Sequence, residues 1–244
     1  MSKVAIVTGG ARNIGREVAL ALAEDGFDIF LHSAGDTEEE AISTSQEIKA
    51  IGRRAEVAIA DFSVPESYLS LVQDCVSRLG GLDVLVNNAG LTGRRAPVLE
   101  HGLDDYRLIF DVNFFAPFQL CQQALAVINQ GGSIINFSSS TVHFPAPDLS
   151  LYGASKAALK YLTEALVPLA GARGATINSV LPGPVTPGVF DAAPAERKIA
   201  IAEASPFKRL GTPQDIAGVV RFLASDNARW VTGQSFIVNG GSNK

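Results

Sequence analysis

Tyr152 and Lys156 stand four residues apart in the stretch YGASK, inside a segment of helical period, so on a helix they share one face. A lysine ammonium beside a phenol is expected to lower the phenol pKa from about 10 toward neutrality, giving a group that can donate or take up a proton near pH 7. Such a tyrosine would protonate a carbonyl oxygen as hydride reaches the carbon, or remove the proton of an alcohol in the reverse direction. Ser139, thirteen positions before Tyr152, would hydrogen-bond the same oxygen and fix it in place; Ser138 and Ser140 flank it with the same chemistry. A tyrosine and a lysine at this spacing also occur as a plain solvated pair on a helix.

A second group of residues suits a phosphate. The apolar run VAIV (4–7) leads directly into TGGARNIG (8–15) and then into a helical pattern. Glycines at 9, 10 and 15 let the backbone approach a pyrophosphate, whose charge meets unpaired N–H groups and the positive end of a helix dipole. Such a turn is often only a tight connection. Asn13 stands where a third glycine is expected. Asparagine tolerates the left-handed region best after glycine, and its amide can bond the turn or a phosphate, so the turn is expected to keep its capacity to bind.

These residues need elements to carry them. Strands are expected at 4–7, 28–31, 56–60, 83–86, 133–137, 176–180 and 235–238, with helices near 14–24, 38–50, 66–79, 104–129, 151–170 and 213–224. Most of the strands are apolar throughout rather than alternating, which suits burial on both faces. The expected fold is α/β: a Rossmann-type, doubly wound, seven-stranded parallel sheet with helices on both faces, one domain over 1–244. The Pro- and Ala-rich segment 182–207 interrupts the alternation after a late strand, so an insertion at about 186–207 would lie at the carboxyl edge of the sheet, where ligands bind, as a substrate loop or a surface excursion.

Composition narrows the function classes. The 244 residues are 47% hydrophobic, enough for one sizeable core. A net charge of −5 provides no basic field for nucleic acid. Cys75 and Cys121 form neither a disulfide framework nor a CxxC motif. No apolar run approaches bilayer length, and the first strand begins almost at the first residue, so a soluble cytoplasmic protein without a signal peptide is expected.

Taken together, TGGARNIG, NNAG (87–90), DVN (111–113), Ser139 and YGASK (152–156) resemble the short-chain dehydrogenase/reductase family, in particular its 3-ketoacyl-reductase-like branch. LPGPV, RLGTPQDIA and FLASDNARWVTGQSFIVNGG extend the likeness to the end of the chain. The resemblance implies an NADP(H)-dependent oxidoreductase that reduces a carbonyl to a secondary alcohol, or the reverse, on a 3-oxoacyl thioester or another small ketone or sugar. It makes Asn113, Ser139, Tyr152 and Lys156 the catalytic set, with Lys156 also binding the nicotinamide ribose and Asn113 holding a relay water. Thr8, Gly9, Arg12, Asn13, Ile14 and Gly15 would form the phosphate turn, Asp61 and Phe62 would meet the adenine, and Asn88, Ala89 and Gly90 its ribose. Pro182, Gly183 and Val185 would border the nicotinamide, with Thr186 one place early relative to the family's PGxxxT. NADP(H) is expected over NAD(H), the alternative cofactor, because Ser33 occupies the place where an NAD enzyme carries a carboxylate and Arg12 can pair with a 2′-phosphate. A homotetramer is expected as well. The competing reading is a non-catalytic dinucleotide sensor or scaffold on the same fold.

Other residues carry less. Glu38, Glu39 and Glu40 after Thr37 read as an ordinary capped helix start. His32, His101 and His143 are too scattered for a metal site, and none is expected. Arg94 and Arg95 would be solvated or meet an anionic group. No motif identifies the substrate.

Overall fold

The computed structural model describes residues 2–242; Met1, Asn243 and Lys244 lie outside the described residues. The strands are β1 (Val4–Thr8), β2 (Asp28–Ser33), β3 (Ala55–Ile59), β4 (Val84–Asn87), β5 (Ser133–Phe137), β6 (Thr176–Pro182) and β7 (Ser235–Val238). They form a single parallel sheet in the order β3-β2-β1-β4-β5-β6-β7. The chain builds outward from β1 to β3 and then returns to place β4 against the other side of β1, pairing Ala5 with Val84. Ligand crevices form at such a switch of direction.

The unbroken apolar strands are explained by the two layers that cover them. Ala5, Val7, Ile29, Leu31, Val84 and Val86 face one layer, while Val4, Ile6, Phe30, Leu85 and Ile134 face the other, as the two-residue period of a strand requires. The first layer contains α1 (Asn13–Glu24) and α2 (Glu38–Ala50), together with a late helix over Pro213–Ala224. The second contains α3 (Leu71–Leu79), α4 (Leu103–Phe110), α5 (Ala116–Val127), α6 (Ser150–Ala165) and α7 (Val167–Ala172). Then come α8 (Ala195–Ala204) and the late helix, α9 (Pro213–Ala224).

Four local details differ from expectation. The long helix expected at 104–129 is broken by a wider π turn over Asp111–Phe115. The segment at 151–170 divides at Leu166, where Pro168 fits the first turn of a new helix but not the interior of an old one. Thr37 precedes α2, yet its side chain does not cap it; the Thr37 hydroxyl donates to the Ala34 carbonyl instead, at 3.2 Å. The 182–207 segment folds into a 3-10 turn, Val189–Ala192, and α8, none of whose residues is buried. Among the described residues no helix is long and apolar enough to cross a membrane, and no cluster of His, Cys, Asp and Glu could hold a metal ion.

Candidate active site

Helix α6 carries Tyr152 and Lys156 on one face, and two bonds to β5 fix that helix in place. Lys156 Nζ donates to the Phe137 carbonyl at 2.9 Å, and Ser138 Oγ donates to the Lys156 carbonyl at 2.8 Å. Ser138 is thereby used as a tether. Ser139 lies beside the phenol and accepts from both the Thr141 N–H (3.2 Å) and the Thr141 hydroxyl (2.9 Å), so its own hydrogen is left to donate. Asn113, fully buried in the π turn, accepts from the Leu91 N–H at 2.9 Å and donates to the Leu91 carbonyl at 2.8 Å and to Ser155 Oγ at 3.1 Å. π turns concentrate at functional sites, because the wider turn re-aims the residues within it. A Cβ on Gly90 would lie 2.9 Å from Lys156 Nζ and 3.0 Å from Asn113 Oδ1, so only glycine fits there without displacing them.

The electrostatics correct one expectation. The lysine does not lower the phenol: Tyr152 is pushed above its ordinary value, chiefly by burial, with the adjacent Ser139 hydroxyl pulling the other way. Lys156 Nζ lies 5.9 Å from the centre of the Tyr152 ring and bonds to a backbone carbonyl instead. Burial also pushes Lys156 down, to about 8. Lys156 is 3% exposed, and among the described residues its ammonium has one protein acceptor for three N–H donors.

The glycine turn has the expected backbone. Gly9 has φ +63° and Asn13 φ +51°, so Asn13 does occupy the left-handed region that glycine would have taken. A side chain at Gly15 would put its Cβ 2.0 Å from the Gly9 carbonyl oxygen. Helix α1 starts from Arg12 with neither a capping side chain nor an acidic residue in its first turn, which leaves its first amides and positive dipole end without a side-chain partner among the described residues. Arg12 is exposed and makes no side-chain hydrogen bond or ion pair among the described residues. A cavity of about 320 Å³ opens beside the turn, lined in part by Arg12, Asn13, Arg16, Thr44, Pro187 and Gln214.

Other expected cofactor residues are engaged within the protein. Thr8 Oγ1 accepts the Asn88 and Ala89 N–H groups, both at 3.0 Å, and Asn88 Nδ2 donates to the Thr8 carbonyl at 2.8 Å, joining NNAG to the turn. Ser33 is buried, and its hydroxyl is bonded to the Thr37 hydroxyl at 2.5 Å and the Ala34 carbonyl at 3.1 Å. Its hydroxyl is therefore engaged within the turn between β2 and α2, while the place still carries no carboxylate. The Asp61 carboxylate accepts the Ser63 N–H (2.8 Å) and hydroxyl (2.7 Å), which hold its pKa down. Phe62 is core. Pro182 ends β6, Gly183 packs so closely on Asn239 that a Cβ would come within 2.6 Å of its Cβ, and Val185 is buried. Thr186, one place early, donates to Asp191 at 2.5 Å.

Two features were not read from the sequence. His32 sits near the end of β2 with its ring bonded to the turn and to Ala60, the residue after β3, a role set by tertiary neighbours that no local pattern reveals. Asp148 gathers Arg95 (2.8 Å) from the loop after β4 and Arg197 (3.8 Å) from α8. Arg94 is paired with Glu100 and Asp105, and His143 is exposed beside Phe144.

The chain is similar to known proteins over nearly its whole length. Residues 9–243 match a family model described as enoyl-(acyl carrier protein) reductase. A short-chain type dehydrogenase/reductase of Picea abies is 40% identical, over 98% of this chain and 92% of its own. A 3-oxoacyl-[acyl-carrier-protein] reductase of Staphylococcus aureus is 37% identical over 99% and 98%. Among solved structures, a blue fluorescent protein from a metagenomic library, in complex with NADPH, superposes with a TM-score of 0.94 at 39% identity, covering 99% of this chain and 98% of its own. The chain belongs to the short-chain dehydrogenase/reductase family of oxidoreductases.

Proposed function

We propose that the protein reduces a small ketone or a 3-oxoacyl thioester to the secondary alcohol, or runs the reverse oxidation, with NADP(H) preferred over NAD(H). The observation that carries this reading is Lys156: a buried cation with one acceptor, next to Tyr152, Asn113 and Gly90. An unpaired buried donor set of this kind costs stability and persists where a ligand uses it. The residues suit a nicotinamide dinucleotide. The uncapped start of α1 and the Gly9–Gly15 backbone would take the pyrophosphate, Arg12 the 2′-phosphate, and the two remaining Lys156 N–H groups the nicotinamide ribose. Asp61 and Phe62 would border the adenine, Ala89 and Gly90 its ribose, and Pro182, Gly183 and Val185 the nicotinamide. Thr8, Asn88, Ile14 and Ser33 support that cradle from within, and Thr186 acts through its bond to Asp191.

When bound, the nicotinamide supplies or receives the hydride. Ser139, whose hydrogen Thr141 does not use, would turn it from the Tyr152 oxygen to the carbonyl oxygen and fix its position. Tyr152 gives that oxygen its proton, and the Lys156 ammonium, arriving at a developing phenolate, favours the charge that burial alone opposes. Asn113 has one oxygen lone pair beyond its three protein bonds, and that lone pair holds the water that returns a proton toward Lys156. The 186–207 segment, tied through Arg197 to Asp148, covers the substrate. A dinucleotide scaffold without chemistry would leave the Ser139–Tyr152 pair without a purpose. Two buried free thiols suit the cytoplasm, and exposed aromatic rings on the helices around 104–129 and 151–170 suit a homotetramer.

The test is turnover of a ketone and 3-oxoacyl thioester panel with NADPH and NADH. A higher kcat/KM with NADPH is expected, and Arg12→Ala should reduce it for NADPH by about tenfold while sparing NADH, the size of a lost charged hydrogen bond. Equal use of both cofactors, or no turnover of any carbonyl, would contradict the reading.

A further inference from the structure

His32 has a use that the catalytic set leaves unexplained. The Gly9 N–H donates to His32 Nδ1 at 3.2 Å, so Nδ1 must be the acceptor and Nε2 must carry the hydrogen, which is donated to the Ala60 carbonyl at 2.9 Å. The His32 carbonyl accepts the next amide of the turn, Gly10, at 2.9 Å. The ring lies flat on Phe62, with centroids 4.0 Å apart and planes within 9°. One 2%-exposed side chain therefore touches the first glycine of the phosphate turn, Ala60 just beyond β3 and the aromatic ring beside Asp61.

We propose that His32 is a positioning residue for cofactor binding, a clamp that sets the separation between the Gly9–Gly15 turn and the Ala60–Phe62 loop. This rests on the reading of that crevice as a dinucleotide site. Both segments leave the carboxyl edge of the sheet just where main-chain pairing to β2 ends, at Gly10 N–H to the His32 carbonyl (2.9 Å) and Ala60 N–H to the Ser33 carbonyl (3.0 Å), and the imidazole adds two side-chain bonds that join the segments to each other. Burial pushes His32 down to about 4, so the Nδ1 lone pair that the Gly9 amide needs persists at neutral pH. The clamp acts on the adenosine half of the cofactor, remote from Tyr152.

The test uses the full-length protein, with NADPH and 2′,5′-ADP as binding probes read by calorimetry. His32→Phe keeps a ring on Phe62 and removes both hydrogen bonds; His32→Asn retains an acceptor near Nδ1, and His32→Gln a donor near Nε2. His32→Phe should weaken both probes about tenfold, as loss of two hydrogen bonds implies, and should raise the KM for NADPH more than it changes kcat. The two amide variants should each recover part of the affinity. A folded His32→Phe that binds both probes like the wild type overturns the clamp. A lowered Tm with unchanged affinity in the folded fraction does so too, because it reports a merely structural role. Should His32→Phe fail to fold, wild-type affinity in both amide variants overturns it equally. A wild-type chain that binds neither probe would remove the dinucleotide reading itself, and the clamp with it.

Discussion

Lys156 shows how a single side chain can be kept at a cost to the fold. Its pKa, about 8 in the folded chain against an ordinary 10.5, means that the unfolded chain binds more protons between those values. The penalty for burying the ammonium is therefore fully present below pH 8 and is relieved as pH rises toward 10.5. The shift corresponds to about 3 kcal/mol, offset in part by the bond to Phe137. Lys156→Met should stabilise the cofactor-free protein at pH 7 by about 1–2 kcal/mol while abolishing turnover, and the gain should shrink as pH approaches 10.5. Thermal unfolding of both proteins across pH 7–10.5 checks this; a destabilised methionine variant at pH 7 would show that the lysine is not held at a cost.

At the scale of elements, the join between β1 and α1 is the most constrained part of the site. Gly15→Ala would drive its Cβ against the Gly9 carbonyl oxygen at 2.0 Å, so it should cost about 2–4 kcal/mol in denaturant unfolding and eliminate NADPH binding. Asn13→Gly, at φ +51°, relieves left-handed strain while adding backbone freedom, and should fall within about 1 kcal/mol of the wild type. A tolerated Gly15→Ala with intact NADPH affinity would contradict this account of the turn. Much of this was legible beforehand. β5 and β7 were read to the residue because SIINF and SFIV are short apolar-rich runs set off by glycine-containing turns, and the family was legible because TGGARNIG, NNAG and YGASK are local motifs. The π turn was not: Phe110, Phe114 and Phe118 repeat every four residues and sustain a helical pattern through it. Helix α8 was hidden because it buries nothing and so shows no apolar stripe. Pro168 did signal the break before α7, and the apolar pattern on either side masked it. The role of His32 depends on Ala60 and Phe62, nearly thirty residues away, and the inward engagement of Ser33 depends on the turn at Thr37.

The whole molecule is a sheet with two covered faces and one working edge. Its outer helices still expose aromatic rings: Tyr106 and Phe110 lie 4.7 Å apart, Phe114 and Phe118 6.1 Å apart, and Phe115 is 45% and Tyr161 73% exposed. Contiguous apolar surface of this kind favours association. Light scattering at micromolar concentration should report a tetramer, and Phe115→Asp combined with Phe118→Asp should shift it to smaller species; a wild-type monomer would contradict the assembly. The central claim is that this edge performs hydride chemistry with Tyr152 as its acid and base. The most direct measurement is the kcat of Tyr152→Phe for ketone reduction, alongside its Kd for NADPH. The account predicts a kcat lowered by about a thousandfold or more, with NADPH affinity within several-fold of the wild type, because the missing hydroxyl handles the substrate proton and not the cofactor. A variant that binds NADPH and reduces ketones at near wild-type kcat would contradict it.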